Sequence, residues 1–328
     1  MGRVSQSDHS RPRRRRLLRA AAGLLVLLAV IGYFAVQQDS TGGMGAPHCV
    51  VRAADGGEGG GDGDGASYSM TPEQAGNAAT IAVVGTGKPM PERAVTIAMA
   101  TAMQESALRN LDHGDRDSLG LFQQRPSQGW GTPAQIQDPV YSAGIFYDRL
   151  KEVRGWARLP LTEAAQQVQL SGFPQAYAKH EPDATLLAAA FTGSAPGTLT
   201  CTGPAPQPGS GDPEKVKAEL TRVFGPKAAP QLGPPAASLG RSGPADGAEV
   251  AVPVKDKKGT VDRQRGWEVA HWAVANAAKL NITRVGYDGK AWVAGENKGR
   301  WIEKLPGKSG SGDPLGAGPD DVRIFTAR

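Results

Sequence analysis

The chain opens on a basic, arginine-rich tail and then runs through seventeen residues without a charge, 20–36. Leu17 and Leu18 lengthen this apolar stretch, because Arg19 between them can snorkel to a polar boundary. The pattern predicts one membrane-spanning helix at 20–36 behind a cytoplasmic tail at 1–19. The arginine cluster on the N-terminal side places everything after Gln37 outside the membrane. A cleaved signal peptide is the alternative, although Tyr33-Phe34-Ala35-Val36-Gln37 makes a poor small-x-small cleavage site. Residues 37–67 are rich in Gly, Asp and Ser, and 56–65 hold almost no apolar side chain, so the segment reads as a flexible stalk.

From 68 to 202 the pattern becomes helical. Thr71-Pro72-Glu73-Gln74 combines an N-cap threonine, a proline at the first helical position and a capping-box glutamine. Pro91-Glu92 opens a second helix, with Ala94, Ile97, Ala98, Ala102 and Leu108 on one face and Val95, Met99 and Met103 on the others. Apolar on all sides, it predicts a buried central helix. The stretch after Leu111, with Gly114 and Gly120, predicts a loop or small hairpin. Further helices are expected from Asp138-Pro139, Leu161-Thr162-Glu163 and Pro182-Asp183. Residues 203–247, dense in Pro, Ala and Gly, read as a linker with room for a short helix at 213–224. Residues 248–328 read as a small α+β unit: Trp267, Ala270, Ala273, Val274 and Ala277 recur at helical spacing, 282–287 and 290–293 flank an Asp288-Gly289 turn, and 322–325 form a third strand.

Charge and cysteines narrow the partners. The formal charge is +5, but seven arginines lie in the first nineteen residues against one acid, and the remaining chain carries 30 basic and 31 acidic residues. A near-neutral body argues against a nucleic-acid partner. Cys49 and Cys201 both fall on the oxidising side of the expected membrane and are predicted to pair. The five histidines, His9, His48, His113, His180 and His271, show no metal-ligand spacing, so no metal and no cofactor is expected.

Glu105 is the one carboxylate in the central helix after its first turn, and it points the same way as Ala94, Ile97, Ala98 and Leu108. Apolar neighbours and the negative end of a helix both disfavour an anionic side chain there. A carboxyl that holds its proton is what a general acid requires. The plainer alternative is a solvated pair with Arg109 at i+4.

The loop that follows adds a motif. Glu105-Ser106-Ala107-Leu108, then Asp117-Ser118-Leu119-Gly120-Leu121-Phe122-Gln123-Gln124-Arg125-Pro126, resembles the lytic transglycosylase and goose-type lysozyme superfamily, with its Glu-Ser and Ser-x-Gly-Leu-Met/Phe-Gln pattern. Arg109-Asn110-Leu111, residues 114–118, Ser127-Gln128-Gly129-Trp130-Gly131 and Phe173-Pro174-Gln175-Ala176-Tyr177-Ala178-Lys179 are similar to lysozyme-like domains of actinobacterial cell-wall proteins. The resemblance spans roughly residues 70–193. It implies a mainly helical lysozyme-like catalytic domain at 68–202, which together with the small α+β domain at 248–328 and the N-terminal transmembrane helix read from the residues makes an α+β chain overall. The substrate it implies is the glycan strand of peptidoglycan, cut with Glu105 as general acid.

In that reading Glu105 protonates the glycosidic oxygen. Either the same residue then acts as base while the sugar's 6-hydroxyl closes an anhydro ring, or a second carboxylate positions water. Asp117 is the first candidate for the second role, with Asp115 and Asp112 behind it, against the alternative that these aspartates only shape turns. Ser118, Gln123, Gln124, Trp130 and Tyr177 are the expected substrate contacts, with Phe122 equally suited to the core. The family's Ala-Ala-Tyr-Asn-Ala-Gly is replaced by Ala189-Ala190-Phe191-Thr192-Gly193, which lacks the tyrosine; Tyr177 or Tyr141 is the expected substitute. The altered motif also admits a rival reading, a non-catalytic lysozyme-like module that binds glycan or scaffolds the envelope. Trp267, Trp272, Trp292 and Trp301 suit a structural role or the docking of an envelope protein more than direct wall binding.

Overall fold

The computed structural model describes residues 46–54, 66–170, 174–233, 248–255, 259–303 and 318–327. The expected tail and transmembrane segment lie outside them, and among the described residues no helix is long and apolar enough to cross a membrane. The architecture is mixed helix and sheet, as the α+β expectation requires.

The chain enters through β1 (His48–Arg52), which is flanked by β2 (Ser67–Met70) and β3 (Leu199–Thr202) in an antiparallel sheet of order β2-β1-β3. All of β1 lies in the stretch whose composition reads as stalk. Its strand character comes from alternation, since Cys49 and Val51 point inward and are fully buried while His48 and Arg52 are exposed. Residues 55–65 of that stretch lie outside the described residues. Cys49 stands directly opposite Cys201 in register, and the two form the expected disulfide.

Helix α1 (Pro72–Gly87) starts on the capping box read from the sequence: Gln74 N donates to Thr71 Oγ1 at 3.2 Å, and Thr71 N donates to Gln74 Oε1 at 2.8 Å. The central helix α2 (Glu92–Ser106) is buried on nearly every side. It stops at Ser106 rather than running through Leu108, because Ala107 and Leu108 both adopt left-handed conformations, φ 52° and 61°. That turn is secured from α1: Gln74 Nε2 donates to Ala107 O at 2.7 Å and Asn77 Nδ2 donates to Leu108 O at 2.8 Å. The left-handed turn also drives the Leu108 side chain into the core, where it is fully buried.

A short helix α3 (Pro133–Ile136), unannounced by any apolar period, precedes α4 (Pro139–Glu152), α5 (Leu161–Gln169), a 3-10 segment (Pro174–His180) and α6 (Glu181–Phe191). Helix α2 sits among α1, α4, α5 and α6. The described part of the expected linker is ordered into the body. Helix α7 (Pro213–Phe224) is followed by the edge strand β4 (Gln231–Leu232), and Gly211 N donates to Ala327 O at 3.0 Å.

The C-terminal segment supplies β5 (Glu249–Pro253), α8 (Arg263–Ala275), α9 (Ala277–Leu280), β6 (Ile282–Tyr287), β7 (Lys290–Val293) and β8 (Asp321–Thr326). With β4 they make a five-stranded antiparallel sheet of order β4-β5-β8-β6-β7. The β6–β7 hairpin turns on Asp288 and Gly289, both at positive φ, as the Asp-Gly pair predicts.

Residues 47–328 cluster as one compact unit, and α8 is the reason. It packs on β6 and β8 on one side and on α1, α6 and β3 on the other. His271 is fully buried, its Nδ1 donating to Ala190 O at 2.7 Å while Nε2 meets no partner among the described residues. Glu268, 2% exposed, accepts from Thr86 Oγ1 at 2.5 Å and pairs with Arg265 at 2.6 Å. Gly193 adopts φ 78°, and a methyl group there would run into Gln264 O and the Glu268 amide. Two tryptophans complete the joint: Trp292 Nε1 donates to Cys201 O at 3.2 Å and Trp301 Nε1 to Leu199 O at 2.9 Å.

Two stability predictions follow from this joint and the disulfide. Replacing Cys49 and Cys201 together by alanine, which opens a loop spanning 152 residues, lowers unfolding free energy by about 2–5 kcal/mol in non-reducing urea titrations. Burial pushes the His271 imidazole down to about 4, with the Ala190 hydrogen bond opposing. The unfolded chain, with histidine near 6.5, therefore takes up a proton before the folded one does. Stability falls as pH drops from about 6.5 to 4 and levels off below, a loss of about 3 kcal/mol from this residue. Glu268, pushed above the usual carboxylate range by burial, works in the opposite sense on acidification. Urea titrations of wild type and His271→Gln at pH 7 and pH 4.5 isolate the histidine: the wild type loses more stability on acidification than the variant.

Candidate active site

Glu105 lies in the last turn of α2, half-buried, one residue before the helix ends. Its Oε1 accepts a hydrogen bond from the Tyr177 hydroxyl at 2.7 Å. Tyr177 is itself fully buried and is delivered by the 3-10 segment before α6. The alternative pairing with Arg109 does not occur: the Arg109 side chain bends to Ser106 O at 3.4 Å, and among the described residues no ion pair joins it to Glu105. The apolar enclosure expected around Glu105 is partial, since a phenol occupies one carboxyl oxygen and the side chain keeps some exposure.

The Ser-x-Gly-Leu-Phe-Gln stretch folds as a small hairpin at the same helix end. Leu119 and Gln124 exchange backbone hydrogen bonds of 3.0 and 2.9 Å, and the Ser106 hydroxyl donates to Leu121 O at 2.8 Å. Gly120 takes φ 75°, and a Cβ there would sit 2.8 Å from Ile136 O, so a side chain is excluded on two counts. The hairpin is thus stitched to the turn that follows Glu105.

Its side chains are mostly occupied by the fold. Asp117 receives Arg125 Nε on Oδ1 and Ser127 N on Oδ2, both at 2.8 Å. The Arg125 bond first, and the Ser127 amide second, hold its carboxyl well below the usual range. Ser118 is buried, 7% exposed, with its amide bonded to Asp115 O at 3.0 Å. Gln123 folds back within 3.3 Å of His113 O and Gly120 O and fills the space a side chain at Gly114 would need. Gln124, 1% exposed, donates to Ser142 O at 3.0 Å and faces the core.

The aromatic candidates divide. Phe122 is fully buried and stacks on Phe146 at 4.7 Å, the core role allowed for it. Trp130 is 6% exposed, with the Arg149 guanidinium 3.5 Å above its ring centroid, so one face is already taken by a cation. Tyr141 lies against Gly131, beside Trp130, where its hydroxyl would stand 2.7 Å from an added Cβ. Of the two substitutes for the missing tyrosine, Tyr177 is therefore the one hydrogen-bonded to Glu105. Phe191 of the altered motif is buried, and the residues after it are turned to other partners: Thr192 and Ser194 hydroxyls donate to Glu92 Oε2 at 2.9 and 2.6 Å.

A pair absent from the sequence-based candidates lies next to Glu105. His180 Nε2 donates to Gln104 Oε1 at 3.1 Å. The available signal was the three-residue spacing of Tyr177 and His180, legible only once that segment is known to be 3-10. Among the described residues no three His, Cys, Asp or Glu side chains converge as a metal site. An apolar cavity of about 300 Å³ lies between the disulfide, residues 202–207 and α8–α9, and its lining among the described residues, from Pro47 to Gly295, holds no titratable group. With no proton to give or take, it offers no acid–base chemistry, and Glu105 remains the candidate centre.

No family model and no curated protein sequence matches this chain.

Since Asp117 organises its own loop, removing its carboxylate has a local signature. Asp117→Ala is expected to speed hydrogen exchange at the Ser127 amide at neutral pH while leaving protection of the α2 amides intact. Unchanged exchange at Ser127 would show that the loop does not depend on this contact.

Proposed function

We propose that this chain cleaves the glycan strands of peptidoglycan outside the cytoplasmic membrane, held there by residues 20–36, with Glu105 as general acid. The observation that carries the reading is the Tyr177–Glu105 hydrogen bond. It fixes the carboxyl group through Oε1 at the end of α2, where a general acid has to be held in one position. The hairpin that resembles the lysozyme-like family is anchored beside this carboxyl through Ser106 and Leu121.

The state of Asp117 favours the one-carboxylate route. Both its oxygens are committed, to Arg125 and to Ser127 N, so it is poorly placed to activate a water. Glu105 gives its proton to the glycosidic oxygen as the C1–O bond breaks. The sugar's own 6-hydroxyl then bonds to C1 and returns its proton to the same carboxylate, which restores the starting state and yields a 1,6-anhydro end.

The rival reading is a non-catalytic module that holds glycan; the covered face of Trp130 and the buried Gln124 weigh against it too, since they leave fewer free contacts than an open sugar-binding groove offers. An envelope partner for the C-terminal segment would have to use other surfaces than Trp267, Trp272 and Trp292, each at most 3% exposed.

Incubating purified sacculi with wild type and Glu105→Gln separates the readings. Release of soluble muropeptides is expected to fall by about a hundredfold or more in the variant, and mass spectrometry is expected to find anhydro ends, retained in Asp117→Asn. Equal release by wild type and Glu105→Gln would mean the chain is not a Glu105-dependent lyase.

A further inference from the structure

Two side-chain pairs join the end of α2 to the 3-10 segment Pro174–His180. One is Glu105 with Tyr177, and the other is Gln104 with His180 at 3.1 Å. Gln104 and Glu105 are consecutive on α2. Tyr177 and His180 are three apart on a 3-10 helix, where side chains at i and i+3 eclipse and share a face. The two pairs are therefore adjacent rungs between the same two pieces of backbone.

The rungs differ in kind. Tyr177 meets the carboxyl group that does the chemistry, whereas His180 meets a neutral amide with no part in proton transfer. Gln104 Oε1 can only accept, so His180 Nε2 carries the proton. Burial and then Lys179 push the imidazole below its ordinary range, with Asp183 opposing, which keeps it neutral at pH 7. The His180 bond is thus one between two uncharged groups, set by shape and distance more than by charge. It sits where the 3-10 segment hands over to α6, at the residue before Glu181.

We propose that His180 is a positioning residue: by its bond to Gln104 it holds the 3-10 segment in register with the last turn of α2, and so keeps the Tyr177 hydroxyl on Glu105. This rests on the reading of Glu105 as the catalytic acid. This chain, which lacks a tyrosine in its Phe191-Thr192-Gly193 stretch, would thereby secure a hydroxyl supplied from a different element.

The test follows initial rates of muropeptide release from sacculi by the full chain. His180→Ala is expected to lose about ten- to a hundredfold in rate, and His180→Gln, whose amide can still donate to Gln104, to regain most of it. If His180 acts through Tyr177, then in a Tyr177→Phe background His180→Ala costs nothing further, a non-additivity that general destabilisation would not produce. Should His180→Ala fail to fold, Gln104→Ala probes the same rung from the other side, with the same loss and the same dependence on Tyr177. Wild-type rates in both single variants, or a full additional loss in the Tyr177→Phe background, would overturn the proposal. Undiminished release by Glu105→Gln would instead overturn the reading beneath it.

Discussion

A carboxylate in the last turn of a helix is an awkward arrangement, because the terminal carbonyls already concentrate negative charge there and lack intrahelical donors. Nearly everything near Glu105 supplies donors to that end. Gln74 and Asn77 reach across from α1 to the carbonyls of Ala107 and Leu108, and the Tyr177 hydroxyl donates a hydrogen bond to Glu105 itself. The left-handed pair Ala107 and Leu108 then folds the chain back so that Ser106 can hold the hairpin carbonyl of Leu121. Remove the donors and the helix end has no reason to keep an acid pointed at one place.

The same economy explains why two segments that look separate in sequence form one body. Helix α8 meets the far end of α6 through His271 and the backbone of Gly193, and α6 in turn packs along α2. The stretch Phe191-Thr192-Gly193, where the resembled family carries its tyrosine, serves here as part of a joint with the C-terminal segment. The hydroxyl on Glu105 and the joint with the C-terminal segment come from different parts of the chain.

Local signals in the sequence were legible where local chemistry decides structure. The Thr71–Gln74 capping box, the helix start at Asp138-Pro139, the all-round apolar α2 and the Asp288-Gly289 turn each carry their cause within a few residues. Strands β1 and β4 were not legible, since five and two residues embedded in Gly- and Pro-rich surroundings owe their conformation to partners far along the chain. The site divides the same way. Glu105 stood out because an acid on an apolar helical face needs a reason. Tyr177 and Tyr141 could not be ranked without knowing which one the tertiary fold brings to that face. The inward turn of Gln124 and the guanidinium over Trp130 depend on Ser142 and Arg149 of α4, contacts that no spacing rule encodes. Asp117 illustrates the converse: its turn role follows from the nearby Arg125 and Ser127, so the simpler local explanation accounts for its geometry.

The disulfide has a mechanical meaning. The described chain enters the body at residue 46, and three residues later Cys49 is covalently joined to Cys201 on the neighbouring strand. A pull exerted from the N-terminal side would otherwise unzip β1 from the sheet one hydrogen bond at a time. With the sulfur bridge in place the tension passes at Cys49 into β3, whose carbonyls at Leu199 and Cys201 are gripped by Trp301 and Trp292. A load applied at that edge of the body would thus be borne at its middle instead of at a frayed strand.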